Sequence, residues 1–405
     1  MKIALVSNVV PPSRTGQGVI IHRMLRGLAP RDYCLISTER HEGDGGDGPV
    51  GKLPGSYHHL PPPPDEIKRG HRLGLRFLRD GANIYAAARR HARHIARIVE
   101  AEGCGAVVGC TGELALMPAA YLASRRAGVP FYPYIFDHFS YREAWSETRS
   151  FWARRMEPLL MRRAERVIVL NELLRDDLRE RFGVESAVVH NAIDLSAYAD
   201  APLAPASARD GQVRVVFTGD IYEAHYDAFR NLLAALAALG RPEVKLHLYT
   251  GKTPEELAAV GIGGPVVRHP YLSLAEMPRV QMEADVLFLP LAFDSPFPEL
   301  VRTSAPTKLA EYLAARRPVL VHAPAASFPS WYFRGHDCGV VVDERDPEKL
   351  AAGLARLLDD AELGRRLADN AWARARADFD LDEARADFAR VVGLDAGGEG
   401  SARPR

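Results

Sequence analysis

Cysteine is scarce in this chain, with four residues in 405. The four are Cys34, Cys104, Cys110 and Cys338. Their spacing matches neither a metal-ligand set nor a disulfide framework. A chain that uses cysteine in this way is typical of a reducing compartment, so the sequence predicts a cytoplasmic protein with no metal site.

An excess of charge of either sign is also missing. Lysine plus arginine and aspartate plus glutamate both total 52, which gives a formal net charge of zero. Proteins that bind nucleic acid through bulk positive charge are strongly basic, so we expect no nucleic-acid partner. Only seven of the basic residues are lysines, and Lys308 is one of them. A compact ammonium in an arginine-rich chain gives mild support to a phosphate-binding role at that position.

Long hydrophobic runs are absent from the sequence. No apolar run approaches the roughly 20 residues that span a bilayer, so we expect no transmembrane helix. The apolar start after Lys2 is shorter than a signal peptide requires and leads directly into a glycine-bearing loop. We therefore expect no secretory leader.

What is present is enough chain for two domains of about 200 residues each. Apolar strands alternate with helical segments in both halves, which is the pattern of α/β doubly wound domains. The sequence predicts two tandem Rossmann-like domains, residues 1–200 and 208–380, joined by the proline-rich segment 201–208. Residues 396–405 are expected to form a disordered tail. Ligands of tandem domains bind in the cleft between them.

A glycine-bearing loop joins the first strand, Lys2–Ser7, to the first helix and reads P-P-S-R-T-G-Q-G. A loop in that place lies at the ligand edge of a doubly wound sheet. One interpretation is that Gly16 and Gly18 let the backbone approach a phosphate or a second substrate. The alternative is a flexible loop without a ligand.

Two further strands of the first half end in polar residues. One is followed by Thr111 and Glu113, and the next by Asp137 and His138. The carboxyl ends of parallel strands face the ligand crevice, so we predict Thr111 and Glu113 as binding residues. We interpret the Asp-His pair as functional, with a structural loop-capping role as the alternative.

Glycine and proline concentrate in His41–Asp65, which we interpret as a mobile surface loop over a substrate. The helical stretch that follows, Arg69–Glu100, is dense in arginine and histidine. Such a stretch suits either a solvated helix face or peripheral association with an anionic membrane. We favour the solvated face and keep the membrane as the alternative.

The most informative stretch lies near the middle of the second half. A helix is predicted to open there, with Pro306 in its first turn and with Ser304 or Thr307 as its cap. Lys308, the free N–H groups of the first turn and the positive end of the helix dipole form an anion seat. Glu311, one turn further on, is placed to accept hydrogen bonds from hydroxyls. A diphosphate flanked by a ribose fits this combination.

This stretch resembles the donor-binding segment of retaining glycosyltransferases of the GT-B architecture, as in glycosyltransferase family 4. The family pattern has two glutamates eight positions apart, the second followed by a short helix, a glycine and Pro-Val. Glu311 and the following Pro-Val match it, whereas Thr303 replaces the first glutamate and Arg316 replaces the glycine. Residues 303–309, T-S-A-P-T-K-L, resemble instead a branch that carries Ser-x-Pro-x-Lys. The first glutamate usually holds the hydroxyls of the donor sugar, so sugar recognition is where this chain departs from the pattern.

The resemblance implies transfer of a sugar from a nucleoside-diphosphate sugar, UDP- or GDP-linked, to a hydroxyl acceptor. It implies retention of the anomeric configuration and no metal or other cofactor. The candidate catalytic residues are Lys308, Asp137 and His138. The candidate donor-binding residues are Gly16, Gly18, Gly219, His225, Gly251, Tyr271, Ser304, Pro306, Thr307, Lys308 and Glu311. The candidate acceptor-binding residues are Thr111 and Glu113.

Two other functions fit the same architecture. An epimerase would convert a nucleotide sugar with no acceptor present. A catalytically silent protein would bind the nucleotide as a scaffold without turnover. Thr303 keeps the silent alternative open, as does the loop after Gly219, which lacks the basic pair that related enzymes carry. The architecture also implies that the last helix, residues 381–395, crosses back to the first domain.

Overall fold

The structure is a computed structural model that describes residues 1–13, 15–40, 51–67, 75–141, 146–199, 205, 207–273 and 275–394. The chain divides into two compact units. The first comprises Met1–His190 with Asp382–Arg405, and the second comprises Asn191–Leu381. The glycine run at 43–48, most of the predicted linker and the predicted tail lie outside the described residues.

A parallel sheet forms the centre of the first unit. Its strands within the described residues are β1 (Ile3–Ser7), β2 (Tyr33–Ser37), β3 (Ser56–His59), β4 (Ala106–Cys110), β5 (Phe131–Ile135), β6 (Val167–Val169) and β7 (Ser186–Val188). They lie in the order β3-β2-β1-β4-β5-β6-β7, and neighbouring strands are parallel. Strands β1 and β4 are buried along their whole length. A strand covered on both faces reads as a continuous apolar run, as these do.

Helices cover this sheet. They are α1 (Gly16–Leu25), α2 (Leu75–Ala101), α3 (Leu116–Ala127), α4 (Glu147–Arg162) and α5 (Glu172–Phe182). The ends of α5 show how the sequence sets a helix boundary. The Asn171 side chain accepts a hydrogen bond from the backbone N–H of Leu174 at 2.9 Å, and Gly183 ends the helix in the left-handed region at φ +66°. An asparagine cap at the start and a left-handed glycine at the end are the expected signals.

A second parallel sheet forms the centre of the second unit. Its described strands are β8 (Val213–Thr218), β9 (Val244–Tyr249), β10 (Val266–His269), β11 (Val286–Pro290), β12 (Val319–His322) and β13 (Val340–Val342). Their order is β10-β9-β8-β11-β12-β13, again with parallel neighbours. Helices surround this sheet as well. They are α6 (Ser207–Asp210), α7 (Tyr226–Leu239), α8 (Pro254–Ala259), α9 (Met277–Met282), α10 (Pro298–Thr303), α11 (Thr307–Ala314), α12 (Phe328–Gly335), α13 (Pro347–Asp359) and α14 (Ala361–Asp378).

The last described helix, α15 (Leu381–Val392), belongs to the first unit from Asp382 onward. Its Phe388 ring lies 5.7 Å from the ring of Tyr134, between centroids. Its Arg385 side chain donates to the backbone carbonyl of Arg23 at 2.9 Å. The end of the described chain therefore packs on the unit in which the chain begins.

The two sheets confirm the predicted fold class of tandem Rossmann-like domains. Strand order reverses between β1 and β4 in the first sheet and between β8 and β11 in the second. In open parallel sheets, ligands bind outside the carboxyl ends of the strands at such reversal points. The loops that follow these four strands are therefore the places where a site is expected.

The interpretation of His41–Asp65 as a surface loop is wrong, because that segment contains the edge strand β3. Arg268 and His269 lie in strand β10, and Pro298–Thr303 form helix α10. Both strands lie at sheet edges and are partly exposed, so they carry polar residues and lack the apolar run that marks a buried strand.

Among the described residues, none of the helices is both long enough and apolar enough to cross a bilayer.

Candidate functional site

In the second unit, the turn after strand β8 brings Gly219 against Lys308. Gly219 has φ +114°, and a Cβ built there would lie 2.8 Å from Lys308 Cε and 2.9 Å from Nζ. Such a φ is strained for any residue with a side chain. Glycine is therefore required both by the backbone conformation and by the close approach of the lysine. Two predicted site residues 89 positions apart are brought together at the carboxyl edge of the sheet.

The surroundings of Lys308 favour a strong interaction between its ammonium and an anion. The side chain is half-buried, and its ammonium lies 4.9 Å from the centroid of the Phe217 ring. Burial lowers the pKa of Lys308 below its usual range, while the carboxylates of Glu311 and Asp220 oppose that shift. An ammonium that has lost part of its water interacts more strongly with an anion than an exposed one does. The position therefore suits a phosphate contact.

Helix α11 begins one residue later than predicted. Thr307 is its first residue, Pro306 precedes it with φ −58° and ψ 138°, and no side chain caps the helix. The predicted capping roles of Ser304 and Thr307, and the place of Pro306 in the first turn, are therefore wrong. Ser304 instead ends helix α10. The N-terminus that the predicted cap would have covered is left without one, and helix N-termini bind anions through their N–H groups and dipole.

Glu311 is held by a buried glutamine. Gln281 is fully buried and donates from Nε2 to Glu311 Oε2 and to Thr218 Oγ1, both at 3.1 Å. Its Oε1 accepts a hydrogen bond from the Tyr198 hydroxyl at 2.6 Å. The Tyr312 hydroxyl accepts from the backbone N–H of Thr218 at 3.1 Å. A chain of hydrogen bonds thus fixes the Glu311 carboxylate one turn from Lys308.

His225 lies under the same loop and is buried, with 3% of its surface exposed. Its ring packs edge-on against Tyr222, with 4.3 Å between centroids, and Nδ1 has no hydrogen-bond partner among the described residues. Burial, and after it the charge of Lys308, lower the pKa of His225 to about 3. The imidazole is neutral near pH 7, so it supplies no charge for a phosphate.

The buried His225 leads to a prediction about stability and pH. Its folded pKa lies below the usual value of about 6.5, so between about pH 6.5 and about pH 3 the unfolded chain binds a proton that the folded chain does not. Stability is therefore lost as the pH falls through that window. From pH 7 to pH 5 this histidine alone should lower the free energy of unfolding by about 2 kcal/mol. Urea unfolding of the second unit at both pH values measures the loss, which His225→Gln should reduce by that amount. An equal loss in the two chains would contradict the prediction.

The other predicted donor residues of the second unit are placed less tightly. Gly251 follows strand β9, and a Cβ added there would meet only Asp220 Oδ1, at 4.0 Å. Tyr271 follows strand β10 with 48% of its surface exposed, so it is a surface residue and not part of the core. Thr303 is buried and donates to the backbone carbonyl of Glu299 at 3.1 Å. That hydrogen bond ties the Thr303 hydroxyl to its own helix.

In the first unit, the loop after β1 is shaped by Gly18. A Cβ added at Gly18 would lie 2.7 Å from the backbone oxygen of Ser13, whereas one added at Gly16 would meet nothing within 4 Å. Thr15 caps helix α1 by accepting from the Gly18 N–H at 3.1 Å. Gln17 donates to Ser7 Oγ and to the Thr111 carbonyl, both at 2.9 Å. Of the two predicted glycines, Gly18 is the one that the loop requires.

The polar residues after β4 have different surroundings. Thr111 is fully buried, and its Oγ1 accepts from the Phe136 N–H at 3.1 Å. The Thr111 hydroxyl therefore links the ends of β4 and β5. Glu113 is exposed, accepts from the Thr38 hydroxyl at 3.0 Å and lines a cavity of about 1010 Å³. Glu113 is thus the better placed of the two to contact a substrate.

The structure separates Asp137 from His138. Asp137 is exposed at the end of strand β5, whereas His138 is fully buried. His138 Nδ1 lies 3.2 Å from a guanidinium nitrogen of Arg181, and Nε2 lies 3.6 Å from Asp177 Oδ2. Arg181 also pairs with the buried Glu157 at 2.9 Å. These contacts place His138 in an interior ion cluster and leave Asp137 as the member that faces solvent.

Sequence reasoning missed Gln281, Thr218 and Tyr198. Nothing in the local sequence marks them, because their role comes from hydrogen bonds to residues 30 to 83 positions away. Within the described ranges, no group of three or more histidine, cysteine, aspartate or glutamate side chains is arranged to hold a metal ion.

Comparison with protein families matches the two halves separately. Residues 14–197 match the family model described as Glycosyltransferase Family 4. Residues 212–360 match the model described as Glycosyl transferases group 1. A search of curated proteins found no match.

Solved structures resemble the fold over nearly the whole chain. Sucrose-phosphate synthase from Thermosynechococcus elongatus has a TM-score of 0.67 at 14% identity, covering 96% of this chain and 98% of that one. HepE from Anabaena, solved with UDP and glucose, has a TM-score of 0.65 at 15% identity and covers 97% and 99%. α,α-Trehalose 6-phosphate synthase from Burkholderia multivorans has a TM-score of 0.65 at 15% identity and covers 97% and 98%. At these identities the likeness establishes the fold and nothing finer.

Proposed function

The chain carries both domains of the family 4-like glycosyltransferases, and on that premise we propose the reaction that it performs. It transfers a sugar from a nucleoside-diphosphate sugar to a hydroxyl acceptor, keeps the anomeric configuration and needs no metal ion. The observation that carries the proposal is the contact between Lys308 and Gly219 at the uncapped start of helix α11. This contact forms a positively charged anion-binding site, the anion seat, beside the carboxyl end of strand β8.

The seat fits the charge that develops during transfer. As the bond to the sugar breaks, negative charge grows on the leaving diphosphate and positive charge on the sugar ring. Lys308 and the N–H groups of the first turn of α11 are already in place to stabilise that negative charge. Fixed charges of this kind lower the barrier because they need no reorganisation as the reaction proceeds. In this proposal the Lys308 ammonium supplies the positive charge that a metal ion supplies in metal-dependent enzymes.

Glu311 recognises the nucleoside half of the donor. Its carboxylate lies one turn beyond Lys308 and is oriented by Gln281 at 3.1 Å. A carboxylate accepts hydrogen bonds from hydroxyls, and a ribose presents two of them next to the diphosphate. We therefore assign Glu311 to the ribose, with Gln281 as the positioning residue.

The role of Gln281 can be tested by Gln281→Leu, which removes the donors to Glu311 and Thr218 at similar volume. We expect nucleoside-diphosphate affinity to fall about tenfold, because a buried group left without its partner costs about 1–3 kcal/mol. Tyr198→Phe is the matched control, since it removes a hydrogen bond to the same glutamine and keeps the one to Glu311. Calorimetric titration of both variants measures the difference. An unchanged affinity in Gln281→Leu would remove Gln281 from the recognition of the donor.

The acceptor side of the reaction is assigned to the first unit. Asp137 is the exposed residue at the end of strand β5, and we propose that it contacts the transferred sugar or the attacking hydroxyl. His138, inside its ion cluster, supports the strand end from beneath. Glu113 is the proposed acceptor contact, and Thr111 holds the loop that carries it.

The experiment is a binding panel followed by turnover. Thermal shift with uridine, guanosine, adenosine and thymidine diphosphates identifies the base. UDP comes first because HepE has been solved with UDP and with UDP-glucose. The matching nucleotide sugar is then incubated with and without hydroxyl acceptors, and the anomeric configuration of any product is read by NMR.

Each outcome of this panel is decisive. A product that requires an acceptor and keeps the configuration supports the proposal. Conversion of the donor without an acceptor would make the protein an epimerase. Nucleotide binding with no turnover would make it a silent scaffold, the alternative that Thr303 keeps open because it replaces a donor-binding glutamate. Failure of every nucleotide to bind would end the proposal.

A further inference from the structure

The first unit contains a cavity of about 1010 Å³. Its walls come from the segments that follow three strands of the sheet and from the start of helix α2. Arg40 follows β2, Pro61–Pro64 follow β3, Glu113 follows β4, and Arg76 and Arg79 lie in α2. The cavity therefore opens at the carboxyl edge of the sheet, where ligands of such sheets bind. Its volume is that of a pocket for a small organic molecule.

Charged side chains are numerous in this cavity. Four arginines line it, which are Arg40, Arg76, Arg79 and Arg149. Three carboxylates line it as well, which are Glu66, Asp80 and Glu113. Where arginines and carboxylates on a cavity wall pair with each other, their charges are neutralised. The pairing among these seven side chains therefore decides what the cavity can bind.

Two of the arginines are paired, and the other two are unpaired as far as the described residues go. Arg79 bonds to Asp80 at 2.7 Å, and Arg149 lies 3.3 Å from Glu66. Arg40 and Arg76 have no ion-pair or hydrogen-bond partner among the described residues. The third carboxylate, that of Glu113, accepts from a hydroxyl rather than from an arginine. Within the part of the chain that the structure describes, the cavity therefore keeps two exposed guanidinium groups, those of Arg40 and Arg76, without a partner.

We propose that this cavity binds the phosphate group of a phosphorylated acceptor through Arg40 and Arg76. The inference rests on the proposed function, because it names the chemical class of the acceptor in that reaction. A guanidinium presents its N–H donors in a planar fork that matches phosphate oxygens two at a time. Two such forks match the several oxygens of a phosphate group better than the two oxygens of a carboxylate. The rest of the cavity then holds the part of the molecule that carries the attacking hydroxyl.

Phosphate of this kind has two possible sources, a soluble phosphorylated molecule and the headgroup of a lipid. Leu75, Phe77 and Leu78 flank Arg76 on helix α2, with 49%, 40% and 67% of their surfaces exposed. Exposed apolar side chains beside a phosphate-binding arginine are what a membrane-embedded substrate would meet. The experiment therefore includes both sources.

The test uses the full chain with Lys308→Ala, which disables the anion seat of the second unit. Inorganic phosphate is titrated into this chain by calorimetry, with and without Arg76→Gln. Vesicles of phosphatidylcholine, with and without phosphatidylglycerol, are tested in parallel by co-sedimentation. The matched control is Arg97→Gln, an exposed arginine of the same helix that does not line the cavity. Circular dichroism confirms that each variant folds.

We expect Arg76→Gln to weaken binding about tenfold or more, because a charge-assisted hydrogen bond is lost, and Arg97→Gln to leave it unchanged. Binding of inorganic phosphate that depends on Arg76 identifies a soluble acceptor. Binding that appears only with phosphatidylglycerol vesicles, and depends on Arg76, identifies a lipid headgroup. Absence of both, or an equal effect of the two substitutions, overturns the proposal.

Failure here is distinguishable from failure of the proposed function. UDP titrated into the chain with Lys308 intact measures the donor seat alone, and Arg76→Gln should leave that affinity unchanged. Normal UDP binding with no phosphate binding would contradict the proposed phosphate site in the cavity and leave the proposed transferase function intact. Phosphate binding that depends on Arg76, without any nucleotide binding, would support the phosphate site in the cavity and contradict the proposed transferase function.

Discussion

Replacing Lys308 with alanine is expected to lower kcat about a hundredfold to a thousandfold, a loss of about 2.7–4 kcal/mol of transition-state stabilisation. The physical reason is that the ammonium lies at the uncapped start of helix α11, where charge develops on the leaving diphosphate. Steady-state kinetics with the donor identified by the binding panel measures the effect. Lys349→Ala is the matched control, because it removes an exposed lysine of the same unit.

Loss of the fold is not expected to explain that result. Burial disfavours the charged form of Lys308, so removing the charge relieves a desolvation cost. The melting temperature of the variant without nucleotide should be unchanged or higher, while the stabilisation that nucleotide brings should shrink. Lys308→Met is a second variant that keeps an unbranched apolar stem over Phe217. Activity within tenfold of the unmutated chain would remove Lys308 from the mechanism.

Gly219→Ala is the second substitution with a large expected effect. The added methyl group would lie 2.8 Å from Lys308 Cε and would have to reach an ordinary separation of about 3.5 Å. The flexible lysine side chain yields first, so the ammonium leaves its position. A displacement of up to about 1 Å at a catalytic group can cost about a hundredfold in rate, and we expect a loss of about tenfold to a hundredfold in kcat.

Gly240→Ala separates displacement from backbone strain. Gly240 also has a positive φ, of +65°, but an added Cβ there meets nothing within 4 Å. Both substitutions should lower the melting temperature, because each forces a side chain into the left-handed region. Only Gly219→Ala should lower kcat. Equal kinetic losses in the two variants would show that strain, and not the position of Lys308, limits the rate.

Buried strands such as β1 and β11 were predictable because each contains an uninterrupted apolar run. The edge strands β3 and β10 were missed because one side of an edge is open to water. Their sequences, S-Y-H-H and V-V-R-H, satisfy that environment and lose the apolar pattern.

The prediction of a cap for helix α11 was wrong for a related reason. Ser304, Pro306 and Thr307 are all residues that begin helices, and propensity alone does not choose among three neighbours. In the structure a short helix, α10, ends at Thr303 and Pro306 is extended, so the next helix begins at Thr307. The first residue of α11 thus depends on where α10 ends, and no pattern in the sequence indicated α10.

The members of the candidate site divide in the same way. Thr307, Lys308 and Glu311 lie within one helical turn, so their proximity follows from helix geometry and was visible in the chain itself. The contact of Lys308 with Gly219 and the bond of Gln281 to Glu311 join elements far apart in sequence. No local pattern encodes such contacts, because they depend on how strands and helices pack.

Asp137 and His138 illustrate the difference between what the local sequence predicts and what tertiary packing decides. Their place at the end of a parallel strand followed from the sequence alone, since a buried strand ends where its apolar run ends. Which of the two neighbours turns inward was decided by Arg181 and Asp177 on helix α5, which enclose the imidazole and leave the carboxylate outside. Periodicity and composition set the local elements, whereas the identity of the groups that meet across those elements depends on packing in three dimensions.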